Sequence, residues 1–196
     1  LVSILVPARN EEAHIAHCLD AALASRDVAI EIVVMDDGST DRTAAIVQDY
    51  AARDPRVRLE TCPALPAGWT GKVHACARLA DAAKGTHFLF IDADVRLESG
   101  AAAAMAGHAQ RTASAMVTGV PRQQIGSLGE ALTVPMINFL LYCYLPGGGR
   151  AFTERPEMAA ACGQLMLVER QAYEAVGGHT AIRSVLHDAL QLARRM

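Results

Sequence analysis

Residues 30–41, IEIVVMDDGSTD, decide the fold. Ile30 to Met35 form a nearly unbroken apolar run, rich in β-branched residues. Such a run reads as a strand buried on both faces, as in a parallel sheet covered by helices on either side. The run stops on Asp36-Asp37-Gly38, and Ser39-Thr40-Asp41 follow as a polar turn able to cap a helix over 41–53. A buried strand that ends in acids and turns into a helix is half of a βαβ unit.

Working outward, the same grammar repeats. Val2–Val6 (VSILV) is an apolar run before Pro7, Val57–Leu59 is a short third run after Pro55, and His87–Ile91 (HFLFI) is a fourth. Alanine-rich stretches over 12–25, 41–53 and 71–84 read as helices between them. Strand–helix alternation of this kind predicts an α/β fold with a single open, mostly parallel sheet flanked by helices. Beyond Leu97 the pattern becomes a helix over 101–111, a strand over 115–120, an apolar segment over 131–145 and a glycine-rich turn over 146–149. A strand over 162–168 and helices over 169–176 and 188–195 complete the chain. The 196 residues suit one domain with two halves, 1–97 and 98–196.

Composition narrows the function. Hydrophobic residues are 52 %, enough for a sizeable core. The net charge is 18 − 21 = −3, so no basic excess points to nucleic acid. The five cysteines form no C-x-x-C pair and read as free thiols of a reducing cytosol. His14, His17 and Cys18 lie close in sequence, but one cysteine without a second cluster does not make a zinc site. The uncharged stretch Ala131–Leu145 spans 15 residues and is broken by Pro135. That is short of the ~20 a spanning helix needs. It reads as a core or pocket-lining helix, or as an interfacial segment that touches lipid. Leu1 opens directly on a strand and Met196 closes on a basic helix, so the chain is expected to be a piece of a longer protein.

Two strands end in paired acids: Asp36-Asp37 after the second, and Asp92-Ala93-Asp94 after the fourth. Open α/β sheets bind ligands outside the carboxyl ends of their strands, where a parallel sheet gathers both pairs. Clustered carboxylates repel a phosphate but suit a hard divalent cation that neutralises a pyrophosphate. The first strand is followed by Pro7-Ala8-Arg9-Asn10-Glu11, without the glycine fingerprint of a dinucleotide fold. Gly68-Trp69-Thr70-Gly71-Lys72 lacks the spacing of a Walker A loop, yet a lysine at a helix start can meet a phosphate.

These residues carry a resemblance. PARNEE, VVMDDGSTD, GWTGK, FIDADV, CGQLMLVERQAYEAVGGH and LHDALQLARR, in this order along nearly the whole chain, resemble a family 2 glycosyltransferase of the GT-A fold. GWTGK and the closing GGHTAIRSVLHDALQLARR are most similar to bacterial enzymes associated with hopanoid and carotenoid lipids. The resemblance implies a transferase that uses a nucleotide-diphosphate sugar, with a UDP-sugar as the family's commonest donor. Pro7, Ala8, Glu11, Asp36, Asp37, Lys72, Asp92 and Ala93 would bind the nucleotide sugar. Asp94 with Asp92 would hold Mn²⁺ or Mg²⁺ on the diphosphate. Asp188 would be the catalytic base, and Gly163, Gln164 and His187, with Gly177-Gly178, would shape the acceptor side. The family often has Glu-Asp where this chain has His187-Asp188; the aspartate is kept.

One base opposite the leaving group implies a single in-line displacement and inversion at the anomeric carbon. The uncharged segment suggests a hydrophobic or lipid-linked hydroxyl acceptor and contact with a membrane surface, on the cytoplasmic side. Two rival functions stand beside this one. A nucleotidyltransferase would need a glycine-rich basic loop after the first strand. A non-catalytic nucleotide-sugar-binding domain would not need Asp188.

Overall fold

The computed structural model describes residues 1–136, 139, 143 and 155–196. Strands and helices alternate through the first half: β1 (Val2–Ala8), α1 (Ile15–Leu23), β2 (Ile30–Asp36), α2 (Thr43–Arg53), β3 (Val57–Thr61), α3 (Gly71–Ala82) and β4 (His87–Ile91). Then come α4 (Ala101–Thr112), β5 (Met116–Thr118), α5 (Leu128–Thr133), β6 (Leu165–Glu169), α6 (Arg170–Ala175) and α7 (Asp188–Arg195). Short 3-10 turns lie at Pro156–Met158 and Gly178–Ile182. α2 starts two residues later than the polar turn suggests. Asp41 Oδ1 accepts from the Thr43 N–H at 2.9 Å and from its hydroxyl, so the acid sits ahead of the first turn rather than in it.

The six strands among the described residues form one mixed sheet in the order β3-β2-β1-β4-β6-β5. β1–β2, β2–β3 and β1–β4 are parallel, as the apolar runs predict. β6 pairs antiparallel with both β4 and β5. Leu165, its first residue, stands opposite Ile91, the last of β4, so the loop before β6 arrives at the carboxyl edge of the parallel strands. A parallel β6 would have put that loop at the far edge.

Alternation along each strand splits the core into two layers. Ile4, Val6, Ile32, Val34 and Leu89 face α1, α2 and α4, meeting Ile15, Leu19, Val47 and Ala106. Leu5, Val33, Phe88, Phe90 and Met166 face α3, α6 and α7, meeting Val73, Leu79, Tyr173 and Leu192. Each fully buried aliphatic side chain of this kind contributes about 1.5–3 kcal/mol. The chain reverses direction across β1: β2 and β3 lie on one side, β4 on the other. β1 pairs with β2 through Ala8 but with β4 only through Leu5, so β1 and β4 part near their carboxyl ends. That is the position where open α/β sheets bind ligands.

The apolar segment 131–145 is described only in part. α5 carries a capping box in which the Ser127 hydroxyl accepts from Glu130 N–H and Glu130 bonds back to the Ser127 N–H. Leu132, Met136 and Phe139 are 71 %, 50 % and 57 % exposed, so the described part of the segment is not a core helix. The expected glycine-rich turn over 146–149 lies outside the described residues. No helix among the described residues is long and apolar enough to cross a membrane.

Candidate functional site

The loops after β1 and β2 are laced together. Asn10, at φ +57°, accepts from the Thr40 N–H through its side chain at 2.8 Å, and its own N–H donates to the Ser39 hydroxyl. The Glu11 N–H donates to Thr43 Oγ1, and the Glu12 N–H to Asp41. Asp36 is buried and accepts from the Ser39 N–H at 3.2 Å. The Asp37 N–H donates to Ala8 O, and its carboxylate lies 3.6 Å from Arg9. A Cβ placed on Gly71 would come 3.0 Å from Asp37 Oδ2, so Asp37 stands against the first turn of α3. A carboxylate there complements the positive end of the helix.

Beside it, Lys72 and Asp92 form an ion pair at 2.6 Å. Burial works against the lysine's charge, but Asp92 outweighs it and the pKa is raised. Asp94 is exposed and forms no hydrogen bond or ion pair with the described residues. Glu11 faces this cluster: burial first, then Asp94, Asp92 and Asp41, push its carboxyl above the usual range, against His14. A cation placed among these acids would relieve that repulsion, so the oxygen donors present fit a hard divalent ion.

The second half completes the edge. Gly163, just ahead of β6, sits where an added Cβ would lie 3.8 Å from Asp188 Oδ1 and 3.9 Å from Lys72 Nζ. Asp188, the first residue of α7, is half-buried, and its Oδ1 accepts from the Ala189 N–H at 2.8 Å. Gln164, next to Gly163, accepts from Gln123 at 3.3 Å. His187 is exposed at the helix start, where its carbonyl accepts from the Gln191 N–H. The fold therefore gathers Lys72, Asp92, Gly163 and Asp188 from four separate elements, with Glu11 beside them.

Three further groups lie behind Asp188, and sequence reasoning gave them no role. Cys76, His179 and Asp188 offer ligand atoms within 4.8 Å of one another, and they are the only such trio found among the described residues. Asp92, Asp94 and Glu11 do not form a trio of that kind. His179 is 1 % exposed, its Nδ1 lies 2.7 Å from the Tyr173 hydroxyl, and its Nε2 lies 3.9 Å from Asp188 Oδ2. Burial drives the imidazole pKa well down, with Lys72 acting the same way and Asp188 opposing, so the ring is neutral near pH 7. Gly178, at φ +47°, lies flush on the Tyr173 ring: any Cβ there would sit 2.4 Å from it. Gly178 thus lets Tyr173 and His179 pack against each other; the resemblance gave Gly177-Gly178 an acceptor-side role. Gly-Gly-His was visible in the sequence, but nothing in its spacing reveals that it backs Asp188.

A mixed sheet with its acids at the β1/β4 parting is the GT-A arrangement. The fold matches a mannosyltransferase of Pyrobaculum calidifontis solved with GDP-Man and Mn²⁺, at TM-score 0.68 and 22 % identity, over 97 % of this chain and 50 % of that one. It also matches glucosyl-3-phosphoglycerate synthase of Mycobacterium tuberculosis, solved with Mn²⁺, UDP and glucosyl-3-phosphoglycerate, at TM-score 0.57 and 22 % identity, over 87 % and 57 % of the two chains. The model of glycosyl transferase family 2 matches residues 3–177, and the chain belongs to that family. It is similar to 4,4'-diaponeurosporenoate glycosyltransferase of Staphylococcus aureus, 38 % identical over 94 residues, which are 48 % of this chain and 24 % of that protein. The chain thus spans about a quarter of the length of that curated relative.

Proposed function

We propose that the chain is the catalytic core of an inverting hexosyltransferase that moves a sugar from a nucleotide-diphosphate donor to a hydroxyl acceptor. One observation carries the reading. Asp188 Oδ1 and Lys72 Nζ border one point, lying 3.8 and 3.9 Å from where an added Cβ on Gly163 would sit, and Lys72 pairs with Asp92. A base and a diphosphate-binding group brought to one point can serve the acceptor and the leaving group of a single anomeric carbon.

Residues 1–97 hold the donor in this reading. Asp36 and Asp37, with Pro7, Ala8 and Glu11, line the nucleotide end, and Lys72 meets the diphosphate. Asp94 and Asp92 would hold Mn²⁺ or Mg²⁺. The cation, when bound, neutralises charge developing on the leaving diphosphate as a Lewis acid. Asp188 accepts the proton of the acceptor hydroxyl as that oxygen attacks, in one displacement with inversion. A carboxylate, though a weak base toward an alcohol, suffices because the proton leaves late, when the hydroxyl has already become acidic.

UDP is the first-choice carrier, supported by the UDP bound in the mycobacterial neighbour; the GDP-Man bound in the archaeal one makes guanosine the second. A lipid-linked or hydrophobic acceptor is supported by the carotenoid acid in the relative's name and by exposed Leu128, Leu132 and Phe139. The same residues would touch the membrane's inner surface. Metal-dependent hydrolysis of a panel of UDP- and GDP-sugars tests the reading. Turnover of one donor, abolished by chelation, supports it. Binding without turnover of any donor, with or without hydroxylated lipid, would leave the non-catalytic domain as the better account.

A further inference from the structure

We propose that His179 is a positioning residue for Asp188: held by Tyr173, its imidazole donates from Nε2 to Oδ2 and turns Oδ1 toward the acceptor. The inference rests on the reading of Asp188 as the base.

The tautomer follows from counting hydrogens. The Tyr173 oxygen accepts the His179 backbone N–H at 3.0 Å. Its own proton, on a side chain only 6 % exposed, has Nδ1 of His179 at 2.7 Å as its partner. Nδ1 is then an acceptor, and the single proton of the neutral ring sits on Nε2. Nε2 is buried and has no hydrogen-bond partner among the described residues. Buried donors are almost always satisfied, so an orphan of this kind calls for an explanation. The acceptor facing it is Asp188 Oδ2 at 3.9 Å, about 1 Å beyond bonding distance. Hydrogen bonds to a base are often loose before the substrate arrives and tighten in the complex.

The two carboxylate oxygens are already divided. Oδ2 faces the imidazole, while Oδ1 takes the Ala189 N–H and borders the gap at Gly163. A donor on Oδ2 fixes the carboxylate plane, so the lone pairs of Oδ1 point at the incoming hydroxyl. Because the imidazole is neutral it does this without forming a full ion pair that would quench the base.

A metal site made of Cys76, His179 and Asp188 is the competing use of these atoms. It needs a free lone pair on Nε2, which the Tyr173 bond fills with a proton. It also needs a thiolate at Cys76, which burial disfavours by raising the thiol pKa.

The test compares kcat and donor KM for His179→Leu, His179→Gln and Tyr173→Phe, with Asp188→Asn measured alongside. Gln keeps an N–H donor; Leu does not. His179→Leu is expected to lower kcat about 10-fold or more with donor KM unchanged, on the scale seen when a group orienting a functional residue is lost. His179→Gln should recover most of that loss. Wild-type kcat in His179→Leu, or Gln as impaired as Leu, overturns the proposal. If Leu does not fold, Tyr173→Phe replaces it: a lower kcat at unchanged donor KM is expected, and an unchanged kcat overturns the proposal. Stoichiometric Zn²⁺ binding that disappears in both Cys76→Ser and His179→Gln would also overturn it, in favour of the metal site. If Asp188→Asn keeps its turnover, the base reading itself fails. If only the His179 variants keep theirs, the base stands and the positioning role falls.

Discussion

The two edges of the sheet treat their acids in opposite ways. At the amino edge, buried Glu31 is surrounded by donors: the Ser3 hydroxyl at 2.6 Å, the Lys84 and Gly85 N–H groups, and Arg58 at 3.1 Å. Burial raises its pKa, but these bonds together outweigh it and hold the carboxyl below the usual range. Gly85 is required there, since a Cβ would lie 2.6 Å from the Ser3 hydroxyl. At the carboxyl edge, Glu11 feels the charges of Asp92 and Asp94, and of these three acids only Asp92 forms an ion pair among the described residues. A carboxylate whose bonds are all made inside the protein ties the fold together. A carboxylate left among like charges stays available for something the chain does not supply.

Substitutions can break this contrast. Asp94→Ala removes a carboxylate with no partner among the described residues, so the melting temperature should hold or rise. Metal-dependent nucleotide affinity should fall by about 10²-fold or more, since a Lewis-acid contact contributes several kcal/mol. Calorimetry with and without Mn²⁺ checks this; equal affinity in both would place the metal elsewhere. Glu31→Ala should do the reverse. It strands the Ser3, Lys84 and Gly85 donors and should cost about 2–4 kcal/mol in a denaturant titration, with activity per folded molecule unchanged. Gly163→Val probes the gap itself: a Cβ there meets its neighbours at 3.6 Å or more, so the fold should survive. The added methyls intrude between Asp188 and Lys72, and turnover should fall about 10-fold, as for a small misplacement of reacting groups.

The smallest effect is a pH dependence. His179 is neutral in the fold with its pKa pushed down by burial, whereas the unfolded chain takes up a proton below pH ~6.5. The unfolded state then binds more protons, so stability falls as pH drops from about 6.5 toward the folded pKa. His179→Gln should flatten that slope in thermal melts taken between pH 7 and pH 5.

The first half of the molecule was legible because its signals are local. Apolar runs that close on acids name both the strands and the edge where the acids meet: β1, β2 and β4 appear where VSILV, IEIVVM and HFLFI put them, and β3 where Val57–Leu59 does. The second half depends on contacts that sequence spacing does not encode. β6 runs antiparallel, and that alone brings Gly163 to the site. Gly178 matters because of Tyr173, whose hydroxyl matters because of His179, whose Nε2 faces Asp188. Each link is a packing relation between side chains, invisible to periodicity. The start of α5 rests on Ser127 and Glu130, a capping-box spacing that stands in the sequence just ahead of the apolar run read as a core, pocket-lining or interfacial segment.

The central claim is that Asp188 takes the acceptor's proton beside a donor held by the acids after β4. Asp188→Asn, assayed for donor binding with Mn²⁺ and for sugar transfer on the same preparation, tests it most directly. The account predicts unchanged donor affinity with turnover reduced at least ~10²-fold, the scale of a lost general base. Transfer at a rate near that of the unaltered protein would contradict it.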